Sequence, residues 1–281
     1  MKLLRYGPKG QEKPGLIDAQ GRVRDLSGIV KDIDPDTLAP ARLAQLSEHD
    51  FDALPIVDAP SRFGPPLSGI GKILGIGLNY ADHAAETKLD LPPEPLVFAK
   101  AITCLAGAND PLILPKDSVS TDYEVELAAI IGTRAQYVSE NKALEHVAGY
   151  AVMNDYSERN YQIERGGQWI KGKSFDGFGP LGPWLVTADE IANPQNLKIW
   201  CDVNGQRRQD SNTQHMVFGI ARIISNLSQY MTLMPGDVIS TGTPPGVGLG
   251  HKPPLYLKPG DVVELGVEGL GQQRQELKAW S

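Results

Sequence analysis

The sequence predicts a mixed, β-rich α+β fold, on three observations. Thirty Gly and 22 Pro are spread along the 281 residues rather than clumped, which implies many turns between short strands. The apolar runs between those turns are short and strand-like. They also do not alternate regularly with long helical patterns, which argues against a doubly wound fold or an α/β barrel. With 41% hydrophobic and 22% charged residues, the chain has the make-up of an ordinary globular protein. It is long enough to bury a core without disulfide or metal staples.

Two units are expected, a small N-terminal α+β unit over 1–66 and the main domain over 67–281. Within the first, Gly15 to Ser27 alternates around Gly21 as a hairpin does, and Leu38 to Leu46 has the apolar spacing of a short helix. The breakers around Arg62-Phe63-Gly64-Pro65-Pro66 mark a linker. Lys72 to Gly77 then reads as the first buried strand of the main domain. Asp122 to Gly132 and His146 to Asp155 are the clearest strands after it. Two similar turn–strand units, Pro235 to Ser240 and Pro259 to Leu265, begin with Pro-Gly corners suited to type II turns.

The formal charge of −7 argues against nucleic-acid binding, which draws its affinity from clustered Lys and Arg. It leaves room for an anionic substrate in a locally basic pocket. Cys104 and Cys201 stand alone, with neither a disulfide framework nor a zinc pattern. No long apolar run marks a signal peptide, and none approaches the ~18 residues of a membrane span. A soluble, cytoplasmic protein with no membrane partner is expected.

Two Gly-rich stretches resemble nucleotide motifs without meeting their mechanical needs. Gly75-Ile76-Gly77-Leu78-Asn79-Tyr80 has Tyr80 where a dinucleotide fingerprint has its third glycine. Gly242 to Lys252 lacks the spacing and the Lys-Ser/Thr ending of a phosphate loop. Tight turns near a pocket explain both better.

Chemistry is suggested first by Glu124-Val125-Glu126. Residues two apart on a strand share a face, with backbones roughly 7 Å apart. A hard divalent cation with oxygen ligands would relieve the repulsion between two such carboxylates, although a solvated sheet face is the plainer reading from spacing alone. If a helix starts at Asp155, then Asp155, Arg159 and Gln162 share one of its faces. A helix-capping Asp155 and a surface Arg159 are the plainer readings. In Asn79 to Glu86, His83 and Glu86 are three apart, so a helix would let the carboxylate hold one imidazole nitrogen and leave the other to take a proton. Lys171 or Lys173 could neutralise an oxyanion, or either could be a surface cation.

Taken together these segments resemble the fumarylacetoacetate hydrolase superfamily. The resemblance runs from about Lys72 to Gly271 and rests on five motifs in the family's order. They are N-Y-x-x-H-x-x-E at Asn79 to Glu86, D-Y-E-V-E-L at Asp122 to Leu127, N-D-x-S-x-R-x-x-Q at Asn154 to Gln162, G-K-S-F-D at Gly172 to Asp176, and T-G-T-P-x-G-V-G at Thr241 to Gly248. The resemblance implies a fumarylacetoacetase-like β-sandwich or roll as the main domain, in a homodimer. It implies Mg²⁺ or Mn²⁺ on Glu124, Glu126 and Asp155, and a water-activating dyad of His83 and Glu86. Lys173 joins the dyad as a catalytic residue, while Tyr80, Lys100, Arg159, Gln162 and Thr243 match substrate-binding positions.

The activity so implied is hydrolysis of the C3–C4 bond of a 2,4-dioxo acid to pyruvate and a carboxylic acid. General likeness narrows this to 2,4-didehydro-3-deoxy acids of the rhamnonate or fuconate type, in sugar-acid breakdown. The same site would also serve a 2-hydroxyhepta-2,4-diene-1,7-dioate isomerase or an oxaloacetate decarboxylase. A non-enzymatic metal-binding protein would have no need of both His83 and Glu86.

Overall fold

The computed structural model describes residues 1–81 and 91–280. The N-terminal segment folds into β1 (Lys2–Tyr6), β2 (Lys13–Ile17), β3 (Val23–Asp25) and helix α1 (Pro40–Ser47). The β2–β3 turn is built around Asp18. Its carboxylate accepts the backbone N–H groups of Gln20 and Arg22 and the guanidinium groups of Arg22 and Arg24, so the chain reverses at Gly21 as the alternation predicts.

The rest supplies β4 (Ile73–Gly77), β5 (Leu96–Lys100), β6 (Leu105–Gly107), β7 (Leu112–Ile113), β8 (Thr121–Asp122), β9 (Val125–Ile131), β10 (Val147–Asn154) and β11 (Ser157–Glu158). A one-turn helix α2 (Ile170–Lys173) precedes β12 (Gly179–Leu181), β13 (Leu185–Thr187), β14 (Lys198–Val203) and β15 (Gln206–Asn212). Helix α3 (Ile220–Tyr230), β16 (Val238–Ser240), β17 (Val262–Val267) and β18 (Gly271–Lys278) complete it. In α3, Ile220, Ile223, Ile224 and Leu227 are buried, the i, i+3, i+4, i+7 stripe of a helix lying on a core.

The strands form an eleven-stranded sheet, a five-stranded sheet and the small pair β8–β11. The larger sheet runs β3-β2-β1-β13-β10-β9-β16-β4-β5, with β12 and β6 attached beside β10. The smaller runs β15-β14-β17-β18-β7. Side chains of β14, β17 and β18, among them Ile199, Cys201, Val263, Leu265 and Leu277, share one core with Val125, Leu127 and Val152 of β9 and β10. The β-rich, mixed fold class therefore stands, with sheet packed on sheet.

Hydrogen bonding is continuous across the boundary expected at residue 66. β1 pairs antiparallel with β13, and the breaker-rich stretch runs alongside β1 through Gly7 N to Arg62 O and Gly64 N to Arg5 O. Arg62 also grips Asp110 with two hydrogen bonds of 2.6 and 2.7 Å and Glu12 with one of 2.7 Å. These contacts seat the N-terminal segment against the main body.

Both strands that carry the acidic motifs lie in the middle of the large sheet. β9 is buried along its whole length and so is β10, as their near-continuous runs of apolar and small residues demand. That central position puts the functional side chains at the end of the core rather than on a solvated face.

Candidate active site

Glu126 projects from β9 on the face opposite Val125 and Leu127, and Glu124 lies just before the strand. Asp155 reaches them because the end of β10 is latched to the start of β9. Asp155 N donates to Glu124 O at 2.9 Å, and Glu124 N donates to the Asn154 side chain at 3.0 Å. The result is a cluster in which Glu124, Glu126 and Asp155, all buried, each offer an oxygen, the three within 4.8 Å of one another. The solvated-face reading of Glu124 and Glu126 is thereby excluded.

Each carboxylate is oriented by the protein. Lys173 Nζ bridges Glu124 Oε2 at 2.5 Å and Asp155 Oδ2 at 2.6 Å. Lys100 Nζ, from the end of β5, donates to Asp155 Oδ1 at 2.5 Å. Arg159 lies 2.7 Å from both Glu124 Oε1 and Asp122 Oδ2. Glu126 Oε2 accepts the Ser240 hydroxyl at 2.6 Å and the Gly242 N–H at 2.8 Å. Gly242 sits at φ +100°, and a Cβ there would come within 2.7 Å of Asn79 Cβ, so this N–H can be offered only by glycine.

Burial, then the charges of Asp155 and Glu124, push the Glu126 carboxyl well above its usual range. Burial works to lower the Lys173 ammonium, but Asp155 and Glu124 outweigh it and hold the group above its ordinary value. Arg159 is likewise raised, burial being outweighed by Glu124 and Asp122. Three clustered carboxylate oxygens suit a hard divalent cation such as Mg²⁺ or Mn²⁺. Among the described residues no donor reaches the second oxygen of Glu126, which fits a ligand atom held ready.

The cluster opens into a cavity of about 620 Å³, within the ~300–1,000 Å³ of small-molecule sites. Arg159, Gln162, Lys173 and Thr243 line it with the three carboxylates, beside apolar Ile76, Phe98, Ile163, Trp169 and Leu249. Gln162 gives its carbonyl oxygen to Arg159 at 3.0 Å, which turns its amide NH₂ towards other partners. The Thr243 hydroxyl donates to Val125 O at 2.9 Å and accepts from Gln209 at 2.8 Å, so it braces the cavity wall. Lys100 stands behind Asp155, and Tyr80 is fully buried and bridged to Met216; neither lines the cavity. Lys171 is exposed and bonds Arg165 O, which separates it from Lys173. The expected dyad of His83 and Glu86 lies outside the described residues.

One local expectation is corrected. Asp155, Arg159 and Gln162 do not share a helix, because Ser157 and Glu158 form β11 and pair with β8. The Glu158 carboxylate is buried among the hydroxyls of Ser118, Ser120 and Thr121, which holds the backbone extended until a π-helical turn at Asn160–Glu164. Arg159 and Gln162 still line one cavity with Asp155, through tertiary folding. Asp122 and Glu158 went unnoticed as site-builders because their partners are distant in sequence. The aromatic wall of Phe98 and Trp169 leaves no local pattern.

Residues 72–278 match the family described as fumarylacetoacetate (FAA) hydrolase, C-terminal. The chain belongs to the fumarylacetoacetate hydrolase family, an enzyme family of hydrolases and isomerases. It is 57% identical to a Burkholderia multivorans protein over 99% of both chains, one described only in general terms as a hydrolase. Its structure is similar to a fumarylacetoacetate hydrolase of Exiguobacterium antarcticum (TM-score 0.86, 35% identity, all of both chains). It is also similar to a probable 2-hydroxyhepta-2,4-diene-1,7-dioate isomerase of Mycobacterium abscessus (TM-score 0.85, 31% identity, all of both chains). A maleylpyruvate hydrolase of Sphingobium, in complex with manganese(II) and pyruvate, matches with TM-score 0.83 and 26% identity over all of both chains.

Proposed function

We propose that this protein is a Mg²⁺- or Mn²⁺-dependent hydrolase that cleaves the C3–C4 bond of a 2,4-dioxo acid. The observation that carries the reading is the convergence of three buried carboxylates beside Arg159, Gln162 and Lys173 in one cavity. Such a site joins a hard-cation centre to donors for an anionic substrate. The manganese and pyruvate of the Sphingobium enzyme support it.

Glu124, Glu126 and Asp155 would hold the divalent cation, which when bound would supply Lewis-acid polarisation of the substrate's 2-oxo group. Arg159 and the Gln162 amide meet the substrate's carboxylate as hydrogen-bond donors. His83, oriented by Glu86, takes a proton from water as the water oxygen bonds to C4. The C3–C4 bond then breaks, its electron pair passing to C3 as the pyruvate enolate, while C4 leaves as the carboxylic acid. Lys173 stabilises the developing negative charge, and protonation of C3 completes pyruvate. Atoms balance as one water consumed for two acids formed.

The likeness to the M. abscessus protein favours isomerisation as the second reading, which uses the same anion site without an attacking water. The test is pyruvate release from a panel of 2,4-dioxo acids and oxaloacetate, by wild type and His83→Ala, with Mg²⁺ and with EDTA. Metal-dependent release that falls at least a hundredfold in His83→Ala is expected, as for loss of a general base. Release from oxaloacetate alone, with His83→Ala unimpaired, would sink the hydrolase reading.

A further inference from the structure

We infer that Phe98 and Trp169 are specificity-determining residues, an aromatic wall that receives the substrate's group beyond C4 and selects an apolar one. The inference rests on the proposed reading of the cavity as a 2-oxo acid site and concerns that acid's other end.

A pair of glycines makes the wall possible. Gly75 and Gly77 are two apart on β4, so they share a face, and Phe98 of β5 stands directly across the ladder from Gly75. A Cβ at residue 75 would lie 2.2 Å from Phe98 Cζ, and one at residue 77 would lie 2.5 Å from Trp169 Cζ3. Both rings therefore rest on the bare backbone of β4, and a side chain at either position would push a ring off it. The rings also support each other, with centroids 5.4 Å apart and planes tilted by 52°. The Gly-x-Gly spacing that imitates a nucleotide fingerprint thus has a mechanical use of its own.

Position and polarity together say what the wall receives. Its near end is fixed by Lys173, whose Nζ bonds Glu124 and Asp155 and lies 5.0 Å from the Phe98 ring centroid. Trp169 continues the wall beyond Phe98, and both rings line the cavity half-buried. Ile163, 50% exposed, and Leu249 line it too. A 2-oxo acid whose carboxylate meets Arg159 and Gln162 sends its remaining carbons past these side chains. Of the four, only Trp169 carries a hydrogen-bonding atom, its indole N–H. A hydroxylated chain laid there would lose water without gaining partners, which disfavours binding. An apolar chain gains about fourfold in affinity for each CH₂ removed from water.

2-Oxo acids that lack a 4-oxo group test this without turnover. Calorimetry in Mg²⁺ measures the Kd of pyruvate, of 5-methyl-2-oxohexanoate, and of 2-oxohexanedioate, in which a carboxylate replaces the isopropyl group. Wild type is expected to bind 5-methyl-2-oxohexanoate tighter than the diacid and at least about tenfold tighter than pyruvate. Trp169→Ala should cut that gain to about threefold or less, while Trp169→Phe, which keeps a ring, should retain most of it. Gly77→Ala should lower the gain as well, but not when combined with Trp169→Ala, because the ring it displaces is then gone. A wild-type ratio near one, a preference for the diacid, a ratio untouched in Trp169→Ala, or equal effects of Gly77→Ala in both backgrounds would overturn the wall. So would loss of pyruvate binding in Trp169→Ala, which would put the indole at the carboxylate end. Pyruvate that fails to bind wild type would remove the 2-oxo acid reading beneath the inference. Pyruvate that binds, with no gain from the apolar chain, removes the inference alone.

Discussion

The Lys173 ammonium touches two of the three clustered carboxylates at 2.5 and 2.6 Å, and its side chain is only 2% exposed. Lys173→Met keeps the stem's volume and removes the charge, leaving Glu124 and Asp155 facing each other and Glu126. Breaking a buried ion pair by deleting one partner destabilises by about 3–5 kcal/mol. Lys100 still holds Asp155 and Arg159 still holds Glu124, so the lower end, about 3 kcal/mol, is expected without metal. With an unfolding entropy of about 2.1 cal/mol/K per residue over 281 residues, this corresponds to a Tm lower by about 5 °C. A divalent cation on the same carboxylates replaces the missing charge and stabilises by mass action, so Mn²⁺ should raise the variant's Tm by more than the wild type's. Thermal unfolding with EDTA and with Mn²⁺ reads both shifts, and pyruvate release should be lost in either condition. An EDTA-treated variant as stable as wild type, or equal gains with Mn²⁺, would refute this account of the cluster.

Two further outcomes follow from contacts away from that ammonium. Asp110 is held below the ordinary carboxylate range; burial opposes this, but Arg62 and the Gly107 N–H outweigh it. A depressed folded-state value adds stability above the unfolded pKa of about 4, and that stability is lost as pH falls through the folded value. Asp110→Asn should therefore unfold about 1–3 kcal/mol more easily at pH 7, the gap closing in acid; urea titrations that show a gap unchanged down to pH 2 would contradict it. Gly242→Ala should lose about 1–3 kcal/mol through its positive φ and weaken Mn²⁺ binding by displacing the N–H from Glu126. Calorimetric Mn²⁺ affinity equal to wild type would show that this N–H does not set the carboxylate.

The legible parts of this protein were those with local or periodic signatures. Glu124 and Glu126 announce a shared face because strand geometry has a period of two, and β4, β9, β10 and α1 follow from apolar patterning and breakers. Asp155 could be matched through a motif but not through its conformation. Its expected helix is displaced by Ser157 and Glu158 pairing with β8, and the hydroxyls that hold Glu158 lie 37 to 40 residues away. Sequence spacing carries no trace of such pairings. For the same reason Asp122 was visible only as a motif letter, although it joins Arg159 to the loop at Gly248.

The pairing of β1 with β13 decides what the N-terminal segment does for the large sheet. β13 has β10 on one side and β1 on the other. Without the first strand the backbone N–H and C=O groups of β13, whose Leu185 and Val186 are buried, would form a bare edge. Such edges recruit foreign strands and seed aggregation. In this chain the strand that covers that edge comes from outside the matched region 72–278, from the segment before it.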